Sequence, residues 1–140
     1  PAAWKWLQEE VFEGKIPVLD HMWQTESSGA IVGNPYGLGM VPIKGGSAGL
    51  PVPGVMADVV DEIDGHSLSD GEKGILIIRK PFPGLTPTLW GDSERYRKDY
   101  WEARPGTRGV YFTGDAAYKD KDGYIWFTGR ADEMILLIEC

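Results

Sequence analysis

The stretch YFTGDAAYKDKDGYIWFTGR, residues 111–130, holds two strand-like segments on either side of a turn signal. Residues 110–113 and 124–128 are rich in aromatic and β-branched side chains, which favour strands. Asp122-Gly123 between them is a strong signal for a tight hairpin turn. We therefore predict an antiparallel β-hairpin, and the rest of the chain is interpreted around it.

The DKDG segment in this turn also resembles the middle of an EF-hand calcium loop. In that register the first ligand position would be Tyr118, and the last would be Gly129 where a glutamate is required. The calcium interpretation is therefore rejected.

The two outer ends of the predicted hairpin repeat one pattern, TGD at residues 113–115 and TGR at residues 128–130. Pairing of the strands would bring Asp115 close to Arg130. A carboxylate can accept two hydrogen bonds from a sugar diol, and a guanidinium can donate to hydroxyls or phosphate. The pattern thus predicts a site for a sugar phosphate, and a purely structural Asp–Arg ion pair is the alternative.

Apolar periodicity and turn residues predict the remaining elements. The first is an amphipathic helix through Trp4, Leu7 and Val11 that ends at Gly14, followed by a short buried strand at residues 16–19. Residues 29–54 are predicted to be ordered loop with little regular structure, and strands are predicted at 55–61 and, buried on both faces, at 74–79. The last is a short helix that is capped by Asp92 or Ser93 and has Tyr96 and Tyr100 on one face.

Composition limits the class of protein. The 140 residues are 42% hydrophobic and include 19 glycines and 10 prolines, which predicts many turns and short elements, in a mainly β fold with short helices (α+β) that is closer to a barrel than to a helix bundle. The net charge of −7 gives no basic footprint for nucleic acid or an anionic membrane. No run approaches the roughly 20 apolar residues of a membrane span. A single cysteine, Cys140, favours a reducing, cytoplasmic location, and with only His21 and His66 beside it a structural zinc site is excluded.

A second unusual stretch is DHMWQTESSGA, residues 20–30, which has the character of a loop that holds chemically diverse side chains. Thr25 can offer a hydroxyl to a phosphate oxygen, and Glu26 can hold a hard cation such as Mg²⁺. In so acidic a chain a metal ion is a natural means of binding a polyphosphate. The alternative is an ordinary polar loop in which Thr25 caps a helix.

These two stretches, together with GSAGLPVPGVMADVVDE and LWGDSERYRKDYW, resemble the AMP-forming short-chain acyl-CoA synthetases of the acetyl-CoA or propionyl-CoA ligase type, which are adenylate-forming enzymes. The resemblance covers nearly the whole chain in the right order. It implies a fragment of the large N-terminal domain that contains a small, distorted β-barrel subdomain. Residues 1–30 would be the end of a helix–strand unit with the nucleotide-binding loop, residues 31–132 the β-barrel-like subdomain, and residues 133–140 the hinge and the start of a C-terminal domain. The two ends of the sequence likewise favour a piece of a larger protein.

The resemblance implies a reaction in which a small carboxylate and ATP form an acyl-adenylate, and coenzyme A then takes the acyl group. It also implies the roles of individual residues. The nucleotide pocket would be lined by six consecutive residues, Asp20, His21, Met22, Trp23, Gln24 and Thr25. Among the phosphate contacts, Thr25 would reach the α-phosphate and Glu26 would hold Mg²⁺. Asp115 would bind the ribose hydroxyls, Arg130 would bind the ribose or its phosphate, and Asp132 would be the hinge residue.

Trp23 is the residue expected to close the acyl pocket, because an indole fills the volume that a longer acyl tail would need; a core tryptophan is the alternative. The chain departs from the family pattern at His21, at Met22, and at Ser27-Ser28, which replaces Thr-Gly. The family's phosphate loop, its adenine segment and its C-terminal catalytic lysine are absent, so these residues alone are expected to be inactive. The rival hypotheses are a non-catalytic nucleotide-binding or interaction module and an adenylating enzyme with another acceptor.

Overall fold

The computed structural model of the chain describes residues 2–39 and 41–131. The predicted hinge residue Asp132 and the segment 133–140 lie outside this part. The described residues contain two short α-helices and seven strands: α1 Ala2–Trp6, β1 His21–Trp23, β2 Ala30–Gly33, β3 Leu50–Pro51, β4 Ala57–Val60, β5 Gly74–Ile78, α2 Ser93–Tyr96, β6 Tyr111–Lys119 and β7 Ile125–Arg130. Within these ranges no helix has the length and apolar character that crossing a bilayer requires.

The strands form two antiparallel sheets, with the orders β1-β2-β3 and β4-β5-β6-β7. A bridge between Gly49 and Ile125 joins the two sheets, and the Ile125 amide donates to the Gly49 carbonyl at 2.8 Å. No ladder connects β1 to β4 within the described ranges, so the sheets remain open. The mainly β class with short helices is confirmed, whereas the predicted barrel is not confirmed.

Strand β5 lies at the centre of the core. Its predicted burial on both faces is confirmed, because Ile75, Leu76, Ile77 and Ile78 are each at most 2% exposed. Alternate side chains of a strand point to opposite faces. Leu76 and Ile78 accordingly pack into the larger apolar cluster, and Ile75 and Ile77 pack into a smaller one. The strand thus fixes the hairpin strand β6 between two packed layers.

The hairpin forms as predicted from the sequence, with β6 and β7 paired and Asp115 opposite Arg130. Its turn is held by Asp120, which accepts hydrogen bonds from the amides of Asp122 and Tyr124 at 2.9 and 3.1 Å. Asp120 serves as a turn acceptor for backbone amides, a role that needs no calcium ion.

One predicted segment is wrong, and a second, predicted as loop with little regular structure, contains two short strands. Residues 16–19 form no strand and are largely exposed; the Val18 amide and carbonyl bond instead to the side chains of Gln8 and Trp4, so they are not offered to a neighbouring strand. The segment 29–54 contains β2 and β3, although glycine and proline dominate its sequence. Ile31 and Val32 are fully buried there, and tertiary packing has overridden the weak local preference.

The helix α2 is confirmed. The Asp92 side chain accepts from the Arg95 amide at 3.1 Å, as a helix cap does. The helix continues as a wider π-helical segment, Arg97–Trp101. The rings of Tyr96 and Tyr100 lie 5.3 Å apart on one face, which is directed toward β6.

A buried ionic network ties β4 to its neighbours. The Asp58 carboxylate, 9% exposed as a residue, accepts hydrogen bonds from Lys119 at 2.5 Å, Arg79 at 2.5 Å and Ser67 at 2.6 Å. Burial by itself raises the pKa of Asp58, but these donors outweigh it and lower the pKa to about 2. The network therefore holds an ionised carboxylate among three strands and the loop that carries Ser67.

Candidate functional site

Gln24, directly after β1, connects the first sheet to the hairpin. Its amide nitrogen donates to the Thr113 carbonyl at 2.6 Å and to the Asp115 carboxylate at 3.3 Å. Its amide oxygen accepts from the Tyr111 hydroxyl at 3.2 Å. One side chain thus joins two sequence motifs that lie 91 residues apart.

A groove of about 540 Å³ opens where these motifs meet. We call it the hairpin groove. It is lined by three consecutive residues of β1 and four residues of the hairpin: His21, Met22, Trp23, Asp115, Phe127, Gly129 and Arg130. Trp23 is 57% exposed and lies outside the apolar core of the described residues. Met22 is half-buried and packs against the main apolar cluster.

Asp115 and Arg130 form the charged wall of the hairpin groove. The Arg130 guanidinium lies 3.3 Å from the Asp115 carboxylate and 3.3 Å from the Thr113 carbonyl. Gly114, which lies between Thr113 and Asp115 in the sequence, has φ +78°, and a Cβ atom on it would lie 2.4 Å from Arg130 Nη2. A glycine is required at this position both for its backbone conformation and for the space that the guanidinium occupies.

The turn that follows Gln24 is a 3₁₀ turn, Thr25–Ser27. The buried Ser27 caps it by accepting from the Gln24 amide at 2.9 Å, so the alternative in which Thr25 is the cap is wrong. Ser28, which stands where the family pattern has glycine, adopts φ +54°. The backbone therefore keeps the left-handed conformation that glycine favours, and Thr25 stays exposed on the turn.

Glu26 lies on the same turn and its carboxylate accepts from the Tyr100 hydroxyl at 2.6 Å. Burial raises the pKa of Tyr100 to about 12, and the bond to Glu26 adds to this effect, so the phenol keeps its proton and donates. Glu26 is half-buried and has no ion pair within the described ranges. A half-buried carboxylate with one neutral donor and no basic partner suits a hard cation such as Mg²⁺.

A second groove, of about 400 Å³, lies beside the first, and we call it the helix groove. Arg130 lines both grooves, and Tyr100 lines the helix groove. The other walls are mostly charged, with Arg95, Lys98 and Arg104 opposed by Asp99 and Glu102. Arg130 therefore stands between the hairpin groove and the side of the site on which Tyr100 reaches Glu26.

A cluster of Asp61, Asp64 and His66 also brings candidate metal-ligand atoms within 4.8 Å of one another. Both carboxylates are engaged in local bonds, Asp61 to the amide of Ile63 at 2.7 Å and Asp64 to the amide of His66 at 3.0 Å. These bonds explain the cluster as the turn after β4.

Five of the predicted site residues share the hairpin groove, and Gln24 contacts its wall. Asp20, Thr25 and Glu26 do not line it; Glu26 instead joins Tyr100. Sequence reasoning missed Phe127, although its place two residues before Gly129 puts both on one face of a strand. It also missed the roles of Tyr100 and Tyr111, because no sequence pattern relates Tyr100 to a carboxylate 74 residues away.

Comparisons with known proteins found similar sequences and a similar fold over nearly the whole chain. The chain is 46% identical over 135 residues to an acetyl-coenzyme A synthetase from Pyrobaculum arsenaticum and 44% identical to one from Chlorobaculum tepidum. Each alignment covers 96% of this chain and 20% of the relative, so the chain spans about a fifth of the length of the curated relatives it matches. The crystal structure of the anthranilate CoA ligase AuaEII in complex with anthranoyl-AMP superposes with a TM-score of 0.74 at 27% identity, over 96% of this chain and 23% of that one.

The model of the AMP-binding enzyme family matches residues 1–90, which is more than half of the chain. This region contains β1 and the turn that carries Glu26. The chain therefore belongs to the family of AMP-binding enzymes.

Proposed function

We propose that this chain is part of an AMP-forming short-chain acyl-CoA synthetase, in which it supplies one wall of the adenylation site. The substrates of the whole enzyme would be ATP, coenzyme A and a small carboxylate, acetate or propionate. We further propose the division expected from the sequence. Residues 1–30 carry the nucleotide loop, and residues 31–132 form a β subdomain that strands elsewhere in the polypeptide would complete toward a barrel. Asp132 is the hinge residue, and residues 133–140 belong to the hinge and the start of a C-terminal domain.

The observation that carries the proposal is the hairpin groove. Two motifs far apart in the sequence, DHMWQTE and the TGD/TGR hairpin ends, converge on it and are joined through Gln24. The chemistry of the groove matches an adenosine phosphate. Asp115 offers a carboxylate for the ribose hydroxyls, Arg130 offers a guanidinium for the ribose or its phosphate, and Met22 and Phe127 offer apolar surface for the base.

Glu26 and Thr25 would act on the phosphate side of the same site. Glu26 would hold Mg²⁺, which neutralises charge on phosphate oxygens while the α-phosphate is attacked. The exposed Thr25 hydroxyl would donate to an α-phosphate oxygen. The acid itself needs no general base, since a carboxylate is already ionised at neutral pH. Placement and charge complementarity are therefore the contributions required of these side chains.

The substrate range would be set by Trp23. Its indole is more than half exposed and lines the groove beside Met22, so it can fill the space of a longer acyl tail. One methylene group changes the free energy that separates two competing acids by about 1–3 kcal/mol. A tryptophan therefore excludes long acids strongly but separates acetate from propionate weakly.

The experiment that tests the proposal is carboxylate-dependent ATP–pyrophosphate exchange by the full-length protein with acetate, propionate, butyrate and octanoate. We expect exchange with the two- and three-carbon acids. In Trp23→Gly we expect exchange to extend to butyrate and octanoate, because the space of the indole becomes available. Trp90→Gly, which removes a fully exposed tryptophan outside both grooves, is the matched control and should keep the original range.

Absence of exchange with every acid, from a folded preparation, would overturn the proposal and favour a non-catalytic nucleotide-binding module. Exchange confined to octanoate in the unaltered protein would retain adenylation and contradict the assignment of Trp23.

A second prediction concerns Gly114. In Gly114→Ala the new Cβ would displace the Arg130 guanidinium from Asp115, and we expect the dissociation constant of ATP to rise about 10-fold, as measured by isothermal titration calorimetry of the full-length protein. Gly123→Ala is the matched control, because Gly123 has a similar φ of +82° but its Cβ would meet only Leu50 Cδ2 at 3.7 Å. Equal ATP affinities in the two variants would contradict a role for Arg130 in nucleotide binding.

A further inference from the structure

An aromatic column lies beneath the turn that carries Gln24 and Glu26. The rings of Tyr100 and Tyr111 are stacked, with centroids 5.5 Å apart and planes inclined by 26°. Tyr96 packs on the other side of Tyr100 at 5.3 Å, and Trp101 meets Tyr111 edge-on at 5.8 Å. Tyr111 is fully buried in β6, so the column is anchored in the apolar core.

The two stacked tyrosines hold the two polar side chains of the turn. The Tyr100 hydroxyl donates to Glu26 Oε1 at 2.6 Å, and the Tyr111 hydroxyl donates to Gln24 Oε1 at 3.2 Å. Gln24 in turn reaches Asp115. One connected set of contacts therefore reaches both the Glu26 carboxylate and the carboxylate assigned to the ribose.

The bond from Tyr100 has a particular consequence for Glu26. It engages Oε1 with a neutral donor, so the second carboxylate oxygen stays available to a cation. Carboxylates that ligate metals are commonly oriented by such outer hydrogen bonds, and loss of one typically weakens metal affinity or activity by about 10- to 100-fold.

We propose that Tyr100, supported by Tyr111, is a positioning residue that orients the Glu26 carboxylate to receive the divalent cation of a metal–nucleotide substrate. The inference rests on the proposed function and deepens it. It assigns a role to the segment SERYRKDYW, which the function left unused. Tyr100 touches neither nucleotide nor cation in this assignment and acts through Glu26.

The test measures cation binding apart from turnover. Mn²⁺ binding to the full-length protein is followed by water proton relaxation in the presence of α,β-methylene-ATP, and the Mg²⁺ concentration for half-maximal ATP–pyrophosphate exchange is measured in parallel. In Tyr100→Phe we expect both the Mn²⁺ dissociation constant and this Mg²⁺ concentration to rise about 10-fold. The phenyl ring preserves the stack, so the melting temperature should change little.

Tyr118→Phe is the matched control, since Tyr118 stacks on Trp126 in the same hairpin but lines neither groove. It should bind Mn²⁺ as the unaltered protein does. In a Glu26→Gln background the further change Tyr100→Phe should have no effect, because the carboxylate through which Tyr100 acts has been removed. If Tyr100→Phe does not fold, Glu26→Asp replaces it. The shorter side chain keeps the negative charge but is too short to accept the hydrogen bond from Tyr100, so Mn²⁺ binding should weaken to a similar extent.

An unchanged Mn²⁺ affinity in Tyr100→Phe, or an equal loss in Tyr118→Phe, would overturn the inference while exchange in the unaltered protein upholds the proposed function. Mn²⁺–nucleotide binding without exchange for any acid would instead overturn the proposed function, and the comparison of Tyr100→Phe with Glu26→Gln would still decide the inference. Failure of the unaltered protein to bind the Mn²⁺–nucleotide probe would overturn both.

Discussion

Replacement of Glu26 by glutamine in the full-length protein is expected to slow carboxylate-dependent ATP–pyrophosphate exchange by about 100- to 1,000-fold at fixed Mg²⁺. The amide has nearly the shape of the carboxylate and can still accept from Tyr100, so the change isolates the charge. A cation at this position contributes several kcal/mol to stabilising charge on the phosphates, and a neutral ligand holds it poorly. The measurement is the exchange rate with acetate over a range of Mg²⁺ concentrations.

The matched control for this change is Glu94→Gln, which neutralises an exposed carboxylate in α2 that pairs with Arg97 on the helix surface. It should leave the exchange rate within about twofold, because surface pairs contribute little. If Glu26→Gln kept the full rate and the same Mg²⁺ requirement, Glu26 would not be the metal ligand, and the assignment of the turn Thr25–Ser27 to the phosphates would be contradicted.

Removal of the Asp58 carboxylate in Asp58→Ala is expected to destabilise the β4–β5–β6 region by about 3 kcal/mol at neutral pH. The change leaves Lys119 and Arg79 close together without their shared acceptor. Their side chains are 24% and 36% exposed and regain some hydration, which places the cost at the lower end for a broken buried pair. Hydrogen exchange of the β4–β6 amides in the full-length protein should be about 100-fold faster.

The same network predicts the acid stability of this region. The folded-state pKa of Asp58 lies at about 2, below the ordinary value of 3.8. Its stabilising effect is therefore fully present above about pH 4, and about 2 kcal/mol is lost as the pH falls through about 2. Asp70→Ala, which removes an exposed carboxylate without an ion pair in the described ranges, is the control and should match the unaltered protein. Equal amide exchange in Asp58→Ala and Asp70→Ala would show that the network contributes no net stability.

Local signals in the sequence were sufficient for the elements that carry their own pattern. The Asp122-Gly123 turn and its aromatic and β-branched flanks determine the hairpin, and the apolar run of β5 determines a strand buried on both faces. Asp92 determines the start of α2. In each case the information lies within about ten residues, where propensity, periodicity and turn chemistry agree.

Elements whose stability comes from distant partners were not predictable in this way. Strand β2 exists because Ile31 and Val32 pack into the core, although the glycine- and proline-rich segment around them favours loop. Residues 16–19 have a strand-like sequence, yet the side chains of Gln8 and Trp4 occupy the hydrogen-bonding groups of Val18. Whether such a segment forms a strand depends on the groups that are available to pair with it, and a local sequence pattern contains no information about those groups.

The candidate site divides in the same manner. The sequence by itself determined that Asp115 and Arg130 lie side by side, because the hairpin register fixes them. It also marked residues 20–26 as a candidate ligand loop by their chemistry. Only the tertiary structure decided that this loop and the hairpin line one groove, that Phe127 completes it, and that Tyr100 reaches Glu26. Glu26 and Tyr100 lie 74 residues apart and meet because β2, β6 and α2 pack into one core, which brings their backbones together. Burial energy, which depends on the whole chain, determines that packing.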